Sequence, residues 1–107
     1  MIALIPARSG SERVKDKNII KLFDHPLMAY TIDVALKSQI FTDIYVSSDS
    51  DLYLEIAEYY GAKTLKRPVE LAKSTSPDQE WIDHAFTHIV KQNYAILRPT
   101  NPFRTIY

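Results

Sequence analysis

Apolar residues along this chain follow two rhythms. Short runs at 2–5, 43–47, 62–65 and 94–97 are rich in β-branched or aromatic side chains, and between them apolar positions recur every three or four residues. The short runs predict strands and the longer spacing predicts amphipathic helices; their alternation predicts βαβ units and a parallel sheet. The first helix is expected to begin near Pro26, a residue tolerated in a first turn, to carry Ile32, Ala35, Leu36 and Ile40 on one face, and to stop at 38–40. A second is expected from Ser50 or Asp51 to Tyr60, with Tyr53, Ala57 and Tyr60 on one stripe, Leu52 and Ile56 beside it, and Gly61 as its stop. In the third, Ser76, Pro77, Asp78 and Gln79 read as an S-x-x-Q capping box with proline at the first helical position. Ile82, Ala85, Phe86, Ile89 and Val90 follow at helical spacing.

No repeat, low-complexity tract or Ser/Gly linker divides the chain, so residues 1–107 are expected to form one unit. The pattern supplies three helices for four strands, and the last strand runs directly into a polar loop at 98–104. A parallel sheet buries both faces, so this arrangement is expected to be the first half of a larger domain.

Composition narrows the function classes. Thirteen Lys and Arg balance thirteen Asp and Glu, which gives no net field to draw a nucleic-acid backbone or an anionic membrane; any anion site has to arise from local clustering. The absence of cysteine excludes a disulfide framework and a thiolate zinc site, and a cytoplasmic location is the expectation. The opening apolar run meets Pro6 and Arg8 far short of the roughly 20 residues of a membrane span. Two glycines leave no room for a GxGxxG or Walker loop.

Ligands of open α/β sheets sit beyond the carboxyl ends of the strands. The first strand is followed by a loop with Arg8, Arg13, Lys15 and Lys17 around Ser9, Gly10 and Ser11, a pattern able to offer backbone N–H groups and positive charge to phosphates; spacing alone fits a solvated basic loop equally. Arg67 follows the third strand, and Arg98 and Arg104 flank the fourth's loop, so the cations are expected either to converge on one crevice or to lie singly on the surface. Asp49 is expected to cap the second helix. His84 and His88 stand at i and i+4, a spacing metal sites use, but without a third ligand they are read as a solvated helix face. His25 is expected to serve a turn, and the tyrosines and Trp81 to serve packing.

Several segments carry a resemblance. Ile5-Pro6-Ala7-Arg8-Ser9-Gly10-Ser11 through Lys17-Asn18-Ile19, then His25-Pro26-Leu27-Met28-Ala29-Tyr30-Thr31-Ile32, Val46-Ser47-Ser48-Asp49, Arg67-Pro68-Val69-Glu70-Leu71-Ala72 and Arg98-Pro99-Thr100-Asn101-Pro102-Phe103-Arg104 resemble, in order, segments of the acylneuraminate cytidylyltransferases. That family activates sialic, legionaminic and pseudaminic acids. The resemblance implies a Rossmann-like nucleotidyltransferase sheet with parallel strands and flanking helices, of which residues 1–107 would be the N-terminal portion. It implies attack of a nine-carbon sugar acid's anomeric hydroxyl on the α-phosphate of CTP, with Mg2+, giving a CMP-sugar and pyrophosphate. Positioning and charge neutralisation dominate such chemistry.

By the same resemblance Arg8, Ser11 and Lys17 would hold the phosphates, with Arg8 and Lys17 as the catalytic cations. Asn18 would lie against the nucleoside and Arg67 would help to recognise cytosine. Arg98, Thr100 and Arg104 would face the sugar acid. Glu12 stands where the family usually has a base, with Arg13 next to it, and Arg98 stands where many members have glutamine. The family's metal carboxylates and dimer-forming segment belong to a second half beyond this chain, so no metal ligand is expected within it. A homo-oligomer, or association through an exposed sheet edge, is expected. The competing reading is a non-catalytic nucleotide-binding or interaction domain that needs a partner chain.

Overall fold

The structure, a computed structural model, describes residues 1–8, 21–22, 25–71 and 77–98. A four-stranded parallel sheet forms its centre, built from β1 (Ile2–Pro6), β4 (Ile44–Ser48), β5 (Lys63–Lys66) and β6 (Tyr94–Ile96) in the spatial order β5-β4-β1-β6. Helices α1 (Leu27–Ser38), α2 (Asp51–Tyr59) and α3 (Asp78–His88) connect them. The expected strands all form, each within a residue or so of its predicted ends.

Burial along β1 explains why that strand reads as a continuous apolar run. Ala3, Ile5 and Ala7 enter one core with Met28, Ile32 and Ala35 of α1 and Tyr53 and Ala57 of α2. Ile2 and Leu4 point to the opposite face and enter a second core with Leu65, Trp81, Ile82 and Ala85. Period-two side chains in a strand covered on both faces leave no position for a polar residue. Each such fully buried Ile or Leu contributes about 1.5–3 kcal/mol.

Ends are set by local chemistry. Ser50 caps α2, its hydroxyl accepting from the Tyr53 N–H at 3.3 Å, and Gly61 closes that helix with φ +100°, where a side chain would be strained. Helix α1 stops at Ser38, whose hydroxyl donates to the Ala35 carbonyl at 2.7 Å, and Gln39 follows with φ 59°.

Several expectations are corrected. Asp49 does not cap α2; Ser50, one residue later, holds that place. His25–Pro26 is not a turn: it forms β3, paired antiparallel with β2 (Lys21–Leu22), a ribbon too short to show alternation in the sequence. Leu36, Ile40 and Leu52, expected on or beside the apolar faces of α1 and α2, are exposed. Pro77 occupies the N-cap of α3 rather than its first turn, and the Gln79 side-chain amide donates to Asp83 at 2.7 Å. Ser76 lies outside the described residues. Helix α3 ends at His88, so Val90 lies beyond it and is exposed.

Candidate functional site

The strand order reverses at β1: the chain moves outward from β1 to β4 and β5, then crosses back to place β6 on the other side of β1. A crevice opens at such a switch point, beyond the carboxyl ends of the flanking strands. Arg8 lies just past β1, Arg98 just past β6, and Arg67 directly after β5.

The sequence left Arg67 open as a surface cation; it is buried, with only 3% of its surface exposed. Its Nε donates to the Ser47 hydroxyl at 3.0 Å, Nη2 to the Ser47 carbonyl at 3.1 Å and Nη1 to the Leu71 carbonyl at 3.3 Å. The Trp81 ring lies under the guanidinium at 5.1 Å, a favourable stacking for a desolvated cation. Burial, the main cause, pulls the Arg67 pKa down to about 10; Asp49 and Asp78 oppose that fall and Arg8 adds to it. At neutral pH the group remains charged. Because its neighbour Arg8 repels it and two carboxylates attract it, the three strand ends share one electrostatic environment.

Ser47 ties these ends together through hydrogen bonds. Its carbonyl also accepts the Ala7 N–H at 2.9 Å, and the Arg67 N–H donates to the Ser48 carbonyl at 2.7 Å. A small hydroxyl at the tip of an otherwise apolar strand is the sequence signal for this role, and spacing alone did not single it out.

On the β6 side, Arg98 pairs with the Asp78 carboxylate. Both side chains are about half exposed. Asp78 also accepts the Trp81 indole N–H at 3.1 Å, and that bond, with the hydrogen bond and charge of Arg98, holds its carboxyl below the usual range. Asp78 and Trp81 were read only as a cap-box member and a packing residue; their i, i+3 spacing on α3 is what brings both to the cations.

The histidine pair is corrected in part. His88 is exposed, but His84 is half-buried, with its Nδ1 buried and without a hydrogen-bond partner among the described residues. The rings meet edge-on at 4.8 Å, and burial, then the charges of His88 and Arg67, lowers the His84 pKa. Among the described residues no three His, Asp or Glu side chains form a metal-holding group, so the Mg2+ implied by the resemblance finds no ready-made cage there. No described helix is long and apolar enough to cross a membrane.

Of the expected site residues, Arg8 acts on Arg67 through its charge, and Arg98 pairs with Asp78, whose charge also acts on Arg67. Ser11, Lys17, Asn18, Thr100 and Arg104 lie outside the described residues.

Comparison with known proteins supplies the family. The chain is 48% identical over 105 residues to the N-acylneuraminate cytidylyltransferase of Escherichia coli O18:K1:H7, covering 97% of this chain and 25% of that protein. It is 38% identical over 110 residues to the CMP-N,N'-diacetyllegionaminic acid synthase of Legionella pneumophila, covering 97% of this chain and 47% of that one. The fold matches that of a CMP:2-keto-3-deoxy-manno-octonic acid synthetase solved in complex with CTP, with a TM-score of 0.84 at 17% identity, over 97% of this chain and 42% of the other. The chain thus spans between a quarter and a half of the length of these relatives. A family model described as cytidylyltransferase matches residues 2–103, and with the strand order and the strand-end cations above it the chain belongs to the cytidylyltransferase family.

Proposed function

We propose that this chain forms the nucleotide-holding part of a cytidylyltransferase that transfers CMP from CTP to a nine-carbon sugar acid of the sialic, legionaminic or pseudaminic type, releasing pyrophosphate. The observation that carries the reading is the placement of Arg8, Arg67 and Arg98 at the carboxyl ends of β1, β5 and β6 around the switch point, with Arg67 buried and Arg98 paired to Asp78. Cations fixed there neutralise charge on a triphosphate and on the developing pyrophosphate.

Arg67 suits a base-reading role. Among the described residues its three bonds use one N–H on each nitrogen, and each terminal nitrogen carries a second N–H that these bonds do not use. Such donors would suit the O2 and N3 acceptors of cytosine, whereas uracil carries a proton on N3. Arg8 and Lys17 act as the phosphate cations, Ser11 and Asn18 complete the nucleotide side, and Arg98, Thr100 and Arg104 face the sugar acid. Mg2+, when bound, would neutralise phosphate charge and would be held by carboxylates of a longer chain or of a partner. The reaction belongs in the cytoplasm, and the edge strand β6 is where the remainder of the sheet or a second chain would pair.

Calorimetric titration of CTP into the wild-type chain, Arg8→Ala and Lys17→Ala tests this. Loss of one charge-assisted phosphate contact should weaken binding by about 1.5–3 kcal/mol. Equal affinities in all three, or no binding by the wild type, would contradict the proposal.

A further inference from the structure

Two cations with different expected tasks are connected by a pair of side chains, Asp78 and Trp81, to which the sequence pattern gives only helix-end and packing roles and the family assignment gives none. Trp81 is the chain's single tryptophan and is 2% exposed. The face of its ring carries the Arg67 guanidinium at 5.1 Å, and its N–H edge donates to Asp78 Oδ1 at 3.1 Å. The other carboxylate oxygen, Oδ2, takes Arg98.

We propose that Asp78 and Trp81 are positioning residues that set Arg67 and Arg98 as one unit, with the indole face orienting the nucleotide-side cation and the Asp78 carboxylate orienting the acceptor-side one. This deepens the nucleotide reading above and rests on it for what the two cations hold. An indole in the core has one well-packed orientation, and this one is pinned on two sides. Turning the ring costs the hydrogen bond at its edge, the stacking on its face, or both. The carboxylate cannot rotate freely either, because one oxygen is engaged by a buried donor while the other faces the half-exposed Arg98. Placement in the first turn of α3 further favours the charged carboxylate there. A change at Arg98, such as arrival of an anionic group that competes with Asp78, is therefore felt at the indole and passed on to Arg67.

Trp81 gives the test a single probe, the indole N–H resonance of the isotopically labelled chain. Arg98→Gln should shift that resonance by more than its linewidth, although Arg98 is not the group that accepts the indole proton. In an Asp78→Asn background, which keeps an oxygen for the indole but no charge for Arg98, the same Arg98→Gln change should leave the resonance in place. A companion measurement separates ring face from ring edge. Trp81→Leu should weaken CTP binding about fivefold, whereas Trp81→Phe, which restores an aromatic face without the N–H, should stay within about twofold of wild type. A response to Arg98→Gln that is the same in both backgrounds, or Trp81→Phe binding as weakly as Trp81→Leu, would overturn the proposal. Should the wild-type chain bind no CTP, the nucleotide reading falls and the resonance cycle alone decides the positioning proposal.

Discussion

The tips of β5 and β6 each carry an arginine linked to Asp78 and Trp81, and the two solve opposite problems. At β5 the cation is taken out of water: Arg67 is bonded through all three of its nitrogens and laid on an indole. At β6 the cation stays half exposed and leans on one carboxylate that is itself half exposed. A buried fork is costly to desolvate but fixed in direction, as discrimination between two bases requires. An exposed pair costs little, contributes little to stability, and can exchange its partner for an incoming anion. The difference suggests a division of labour within one site, a rigid nucleotide side and an adjustable acceptor side.

The largest effect should come from breaking the buried side. Arg67→Ala leaves the Ser47 hydroxyl and the Leu71 carbonyl without their donor and opens a hole against Trp81, a loss of about 2–4 kcal/mol of stability. Arg98→Ala removes a half-exposed, solvent-screened pair with Asp78 and should cost less, about 1 kcal/mol. Urea unfolding of the two variants measures both; similar losses would mean that the two tips are not built differently.

How much of this was legible in the sequence depends on what each residue touches. The strands could be read because β1 is apolar at every position, which only a doubly covered strand permits, and Gly61 could be read because its position needs positive φ. The switch-point arginines could be located because they follow strand ends. Their difference in burial could not: Arg67 is held by Ser47, twenty positions earlier, and by Trp81, fourteen positions later, and pairwise contacts at that separation leave no local periodicity. For the same reason Asp49 looked like a cap although the hydroxyl beside it does the capping, while the acid's charge acts on Arg67. Leu36 and Ile40 show the converse, apolar positions at helical spacing that stay exposed.

A smaller effect sharpens the comparison through pH. His84 faces Arg67 and His88, and its folded pKa is lowered from 6.5, chiefly by burial. The unfolded chain takes up this proton near 6.5 while the folded chain resists it, so folding stability is full above that pH and declines as the pH falls below it toward the folded pKa. The melting temperature of the wild type should therefore drop more between pH 7.5 and pH 5.5 than that of His84→Gln. Parallel declines would place His84 outside the electrostatic reach of the buried tip.

In the proposed function the fixed guanidinium of Arg67 selects the base. The most direct test of that selection is the ratio of CTP to UTP affinities, measured by calorimetry on the wild-type chain and on Arg67→Lys, which keeps the charge but loses the two-pronged geometry. A ratio within one protein is insensitive to the fraction folded, so any destabilisation cancels. The account predicts a clear preference for CTP in the wild type that falls toward equality in Arg67→Lys; a preference that survives the substitution unchanged, with both nucleotides weakened alike, would contradict it.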